Sequence, residues 1–88
     1  MEIEFDPAKT KLNIARHGVD IALAESFEIE TALIEIDDRH DYGEIRYIAI
    51  GYLTERLHVM VFTIRDQTMR VISLRKANRK ERERYEGS

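Results

Sequence analysis

Three apolar runs of similar length, "EIRYIAIGYL", "RLHVMVFTIR" and "TMRVISLR", follow one another from Glu44 to Arg75 with only "TE" and "DQ" between them. No other feature of the chain constrains its fold as tightly. Two residues are the length of a tight hairpin turn, so the runs read as consecutive antiparallel strands of one meander. With Asp66 and Gln67 as the second turn, Arg65 opposes Thr68, Thr63 opposes Arg70 and Val61 opposes Ile72, all six on one face. The same register places the pairs Phe62 with Val71, Met60 with Ser73 and His58 with Arg75 on the other face.

The rest of the chain has room for little more. At 88 residues it can bury one modest core, so a single domain over residues 1–88 is expected. "MEIEF" alternates Ile3 and Phe5 with Glu2 and Glu4, the pattern of a short half-buried strand. Asp6 and Pro7 then supply an N-cap and a first helical residue, and Gly18 supplies a left-handed stop, so a helix is predicted over 7–17. Ala8, Leu12 and Ala15 share one of its faces; Lys9, Asn13 and Arg16 share another. Asp20 caps a second short helix in "DIALAESFEIE". "TALIEID" is a further strand and "DDRHDYG" a turn. The order is strand, helix, helix, four strands in a meander and a C-terminal helix. It predicts an α+β domain with an antiparallel sheet (β-α-α-β-β-β-β-α) and helices on one face.

Composition narrows the function classes. The chain has no cysteine, which excludes disulfides, thiol catalysis and thiolate metal sites. His17, His40 and His58 lack ligand spacing, and the carboxylates of "DDRHD" read as a solvated turn, so no metal or other cofactor is expected. No apolar run approaches the roughly 18 residues of a membrane span, and "MEIEFDPAK" lacks the order of a signal peptide, which predicts a cytoplasmic protein without membrane contact. The net charge is −3, but it is unevenly distributed. Residues 65–88 hold eight Lys/Arg against four Asp/Glu, whereas residues 1–64 hold six against thirteen. A basic pole on an acidic domain is the footprint of a polyanion or of an acidic partner segment.

That pole is where chemistry is expected. From Lys76 onward the tail is helix-forming, with Ala77, Glu81 and Tyr85 on one stripe and Lys76, Arg79, Lys80 and Arg82 among its basic residues. Read blandly, it is a solvated helix with i, i+4 ion pairs such as Arg79 with Glu83 or Arg82 with Glu86. Arg65 and Arg70 on the strands, and Arg75 at the strand-to-helix junction, suggest instead a cationic cluster drawn from several elements. Guanidinium forks match phosphate bidentately and stay charged. Such a set could cleave RNA through its own 2′-hydroxyl without a metal, with Arg65, Arg70 and Arg75 stabilising the phosphorane charge. Glu81 is then a candidate base, and Tyr85 a stacking group or proton donor. Lys76, Arg79, Lys80 and Arg82 would hold the RNA backbone. Histidine is the usual proton carrier, with His58 and His17 as candidates. A non-catalytic module that grips an acidic partner fits the same charges, and a metal-dependent hydrolase built on Asp37, Asp38 and Asp41 is a third reading.

"FDPAKTKLNIARHGV", "YIAIGYL" and "RVISLRKANRKERERYE" together resemble the BrnT-type toxins of bacterial type II toxin–antitoxin systems. The resemblance implies a RelE-like fold, a ribonuclease activity that arrests translation, and neutralisation by a cognate BrnA-like ribbon-helix-helix antitoxin. It further implies that operator DNA is met only through that antitoxin complex. The family's strand motif of an aromatic or histidine, Thr, any residue and Arg falls on Phe62, Thr63, Ile64 and Arg65. Arg75 and Glu81 match its terminal block; Asp6, Lys9, Asn13, His17 and Gly18 match its N-terminal one, where Asp6 as cap, Gly18 as helix stop and a hydrogen bond from Asn13 or His17 across to the sheet are the structural readings. Phe62 departs from the His or Tyr found in many relatives, which implies that a proton-transfer group at that position is missing here.

Overall fold

The computed structural model describes residues 2–88. Strand β1 (Glu2–Glu4) leads into α1 (Pro7–His17), and two 3₁₀ segments follow (Ile21–Ser26 and Ile29–Thr31). Then come β2 (Leu33–Asp37), β3 (Arg46–Leu53), β4 (Arg56–Arg65), β5 (Thr68–Lys76) and α2 (Arg79–Glu86). The expected second helix is thus two tight turns. Phe27 bridges Leu53 and the Glu28 N–H donates to Tyr52 O (2.9 Å), which holds the chain extended between the two turns and interrupts any longer helix.

The five strands form one sheet in the order β1-β5-β4-β3-β2. The meander from β2 to β5 is antiparallel as expected, but β1 lies parallel to β5, with Ile3 beside Met69. The sheet is therefore mixed, which corrects the all-antiparallel expectation. This pairing joins the two ends of the sequence, and no local pattern encodes it. Both two-residue turns form where expected. Asp66 and Gln67 take φ values of 48° and 67°, the left-handed geometry that matches a hairpin to strand twist.

The register holds next to that turn and then shifts. Arg65 opposes Thr68, Thr63 opposes Arg70 and Phe62 opposes Val71, but Val61 opposes Ser73 and not Ile72. Ile72 is the extra residue of a β-bulge. Beyond it, Met60 pairs with Leu74, Val59 with Arg75 and His58 with Lys76, each one position from the sequence-based register. The bulge changes which side of the sheet each later residue occupies. Val71 and Leu74, 1% and 0% exposed, both reach the main core although they are three positions apart, and Arg75 turns to the face that carries Arg65 and Arg70.

The main core lies on one face. Met60, Phe62, Met69, Val71, Leu74, Ala49 and Leu53 pack there under Val19, Ile21, Ala24 and Phe27 from the segment after α1. Gly51 is required on this face, since a Cβ there would meet the Phe27 ring at 2.9 Å. The opposite face carries a smaller core of Ile50, Leu57, Val59 and Ala77, with Tyr52 and Tyr85 partly buried against it. So α2 does not join the other helices on one face; it covers the second.

α1 begins and ends as predicted. Asp6 accepts from Ala8 N (2.9 Å), and Gly18 at φ 68° sends its N–H to Ile14 O (2.8 Å). Its docking is unusual, because the only buried residue of the helix is Asn13. Asn13 Nδ2 donates to Val19 O and Leu74 O, both at 2.7 Å, while its Oδ1 accepts from Leu74 N at 3.2 Å. β1 ends at Glu4 beside Arg70, so further along this edge the Asn13 carboxamide serves Leu74 as a neighbouring strand would.

Candidate functional site

The sequence places five catalytic candidates at Arg65, Arg70, Arg75, Glu81 and Tyr85. In the structure the three arginines share the face that α2 partly covers, an arrangement that exists because of the bulge at Ile72. They do not converge on a point. Arg70 and Arg75 stand opposite Thr63 and Val59, four residues apart on β4 and hence roughly 13 Å apart along the strand. Arg65 extends the row, so the three span roughly 20 Å.

Each arginine has its own carboxylate. Arg65 Nη2 meets Glu44 Oε1 at 2.6 Å and Arg70 Nη1 meets Glu4 Oε1 at 3.5 Å, both on the surface. Arg75 is held more firmly: Nη1 donates to Glu81 Oε1 and Nη2 to Oε2, both at 2.7 Å. Glu81 Oε1 also accepts from Asn78 N (2.8 Å), and Glu81 N donates to Asn78 Oδ1 (2.9 Å), closing a capping box at the start of α2. The Arg75 guanidinium, with the Asn78 N–H behind it, holds the Glu81 carboxyl below its usual range. A carboxylate so occupied is a clasp between β5 and α2, and a weak acceptor for a substrate proton.

Tyr85 meets Tyr52 edge to face, with ring centroids 5.6 Å apart, and its hydroxyl donates to Thr31 O at 3.3 Å. It anchors the far end of α2, assisted by an ion pair between Arg84 and Glu35. The stripe of Ala77, Glu81 and Tyr85 read from the sequence is thus the side by which the helix docks. Of the expected helix-surface pairs, Arg79 with Glu83 forms (3.1 Å), whereas Arg82 donates to Ala77 O (3.0 Å) and not to Glu86. Lys76, Arg79, Lys80 and Arg82 are all exposed; the last three stand on α2, whereas Lys76 pairs with His58 and so lies on the other face of the sheet from the arginine row.

Phe62 is not beside that row. It is 3% exposed in the main core, stacked on Tyr47 with centroids 5.3 Å apart, on the opposite side of the sheet from Arg65 and Arg75. His58 is buried on that same opposite side, with Nδ1 2.8 Å from Arg56 O. Neither position offers a proton to the arginine face. His17 is different: it is exposed at the end of α1 and lines a groove with Lys9, Asn13 and Arg16. The acidic turn is committed to its own structure. Arg39 donates to both Asp37 oxygens (2.8 and 2.9 Å), Tyr42 OH donates to Oδ2 (3.1 Å), and Asp41 accepts from Gly43 N (3.0 Å). The Arg39 guanidinium holds the buried Asp37 carboxyl far below the usual carboxylate range. Among the described residues, no group of three or more His, Asp or Glu is placed to hold a metal ion.

A family model described as the ribonuclease toxin BrnT of type II toxin–antitoxin systems matches residues 5–81. The chain belongs to the BrnT family. The match spans α1, the whole sheet after β1 and the Arg75–Glu81 clasp, and it stops before Arg82 and Tyr85. None of the curated proteins compared with the chain matches it. Membership in a family of type II ribonuclease toxins brings with it an RNA substrate and an antitoxin partner. Among the described residues of this BrnT-family chain, no helix is long and apolar enough to cross a membrane.

Proposed function

We propose that this chain is a metal-independent endoribonuclease with a RelE-like fold that cuts RNA in the cytoplasm and so arrests translation. In this reading a BrnA-like ribbon-helix-helix antitoxin neutralises it, and operator DNA is met only through that complex. The observation that carries the reading is the row of Arg65, Arg70 and Arg75 on one face of the sheet, with exposed Arg79, Lys80 and Arg82 on α2, the helix that covers part of that face. The row matches a polynucleotide backbone better than a single small anion, because its charges are spaced along a strand. Exposed ion pairs such as Arg65 with Glu44 are worth little in water, so a phosphate can replace the carboxylate at small cost. Arg75, fixed by Glu81, is the pre-oriented donor for charge that develops when the 2′-hydroxyl attacks phosphorus.

The antitoxin is assigned to the open β2 edge, where Ile34 and Ile36 are 45% and 62% exposed. The test is expression without antitoxin, together with an RNA-cleavage assay in chelator. Wild type is expected to arrest growth and cut RNA. Arg65→Ala and Arg75→Ala should each slow cleavage by about 10²-fold while keeping a cooperative melt. Folded variants that arrest growth as wild type does would show that the arginine row is not the site.

A second reading, RNA binding without cleavage, is favoured by one observation: all three row arginines carry carboxylate partners and Glu81 is fully engaged. It predicts steep salt dependence of RNA affinity with no product at any time point.

A further inference from the structure

The residues of α1 that the arginine row leaves unused come together in one place. Lys9, Asn13, Arg16 and His17 lie on one side of the helix and line a groove of about 240 Å³ against Ile72 and Ser73 of β5. We propose that this groove seats a phosphodiester of the RNA substrate, with Lys9 and Arg16 as the cationic partners and His17 as a further donor at the rim. It rests on the RNA-directed reading above and adds a binding site to it.

Three observations support the groove. Its charge is uncompensated: no carboxylate lines it, and neither Lys9 nor Arg16 is in an ion pair among the described residues, whereas Arg65, Arg70 and Arg75 each are. Two other concavities are lined by the opposite charge, one by Glu2, Glu4 and Glu25, of which Glu4 is paired with Arg70, and the other by Glu28 and Glu30. The floor is also rigid. Asn13 is 5% exposed and makes three hydrogen bonds, so the helix face cannot drift from the bulge that forms the opposing wall.

The groove also has a position that suits a polymer. Ile72 and Ser73 lie on β5 between Arg70 and Arg75, so the groove borders the arginine row where α1 covers the edge of the sheet. Leu12, 47% exposed, gives it an apolar wall against which a ribose or base can rest. A site for a free anion has no use for such a wall. Arg16 and His17 in the last turn of α1 also favour the helix dipole, and that is the structural role against which the site must be tested.

The experiment measures affinity for a single-stranded 2′-O-methyl oligoribonucleotide, which 2′-hydroxyl attack cannot cut, as a function of salt. The Lys9→Ala/Arg16→Ala double variant should bind at least about tenfold more weakly. Its slope of log affinity on log salt should fall by about 0.7 for the lost phosphate contact. Lys11→Ala removes the same charge from the same helix outside the groove and should stay within about twofold of wild type. Lys9→Gln and Arg16→Gln singly should each show part of the effect, so the result does not depend on one variant folding. Millimolar inorganic phosphate should compete with the oligonucleotide only weakly. A double variant that melts like wild type and keeps its RNA affinity and slope overturns the groove and leaves the proposed function standing. Strong phosphate competition, or an acidic peptide bound in place of RNA, overturns it as well. A wild-type chain without RNA affinity overturns both readings.

Discussion

At the scale of single residues, Asn13 shows how one side chain can dock a helix. By sequence Asn13 is a candidate for a hydrogen bond across to the sheet, and in the structure it satisfies three backbone groups, two of Leu74 and one of Val19. Asn13→Ala is expected to cost about 2–4 kcal/mol in chemical denaturation, because it leaves Leu74 N–H, Leu74 C=O and Val19 C=O without partners. A loss below about 0.5 kcal/mol would mean that water replaces the amide. This role was half legible. The spacing of Lys9, Asn13 and Arg16 marks a shared face, and a hydrogen bond from Asn13 or His17 to the sheet is the structural reading of it, but the sequence does not choose between that face and the one with Ala8, Leu12 and Ala15. That choice depends on β1 ending early and leaving Leu74 open, which is a non-local fact. Phe62 is the converse case: read as a missing proton carrier from its place in a motif, it is a core residue by its place in the sheet.

At the scale of elements, α2 is a helix with almost no apolar face that is nevertheless well fastened. It has a capping box, one tyrosine contact and a bidentate Arg75–Glu81 pair. Glu81→Gln separates the readings of that residue. Glutamine keeps an acceptor at the capping position but removes the charge opposite Arg75. As a clasp, the substitution should cost about 1 kcal/mol, discounted because Arg75 is partly exposed, and should leave cleavage within a few-fold of wild type. Cleavage lost by two orders of magnitude, with the melt intact, would return Glu81 to the role of base. The bulge in β5 is the other decisive element. Its trace in the sequence is that Met69 and Val71 are two apart while Val71 and Leu74 are three apart, with Ile72 and Ser73 between. That break in alternation could have been read as a bulge, and it determines that Arg75 shares a face of the sheet with Arg70.

At the scale of the molecule, arginine–carboxylate pairs set the response to acid: Arg39 with Asp37 inside the acidic turn, Arg65 with Glu44 between the end of β4 and the segment before β3, and Arg75 with Glu81 between β5 and α2. Asp37, Glu44 and Glu81 are all held below their usual range, by Arg39, Arg65 and Arg75 respectively. A carboxyl whose folded value is depressed adds stability that is fully present above its unfolded value of about 4, and loses it as pH falls through the folded one. The melting temperature should therefore be flat from pH 7 to about 5 and fall steadily below about 4. Asp37→Asn should lower it at pH 7 and flatten the acid limb; an unchanged acid limb would mean the Asp37 pair does not contribute. The chain by itself determined what short-range chemistry can determine: the bounds of α1 from Asp6, Pro7 and Gly18, the two hairpin turns, the register beside Asp66 and Gln67, and the stripe by which α2 docks. Only the tertiary structure decided the parallel place of β1, the bulge at Ile72, the face on which α2 lies and the groove beneath Lys9 and Arg16. The reason is physical. Caps and turns are set by groups a few residues apart, whereas the choice of face is set by burying Val71 and Leu74 in one core, a gain that exists only once distant segments have met.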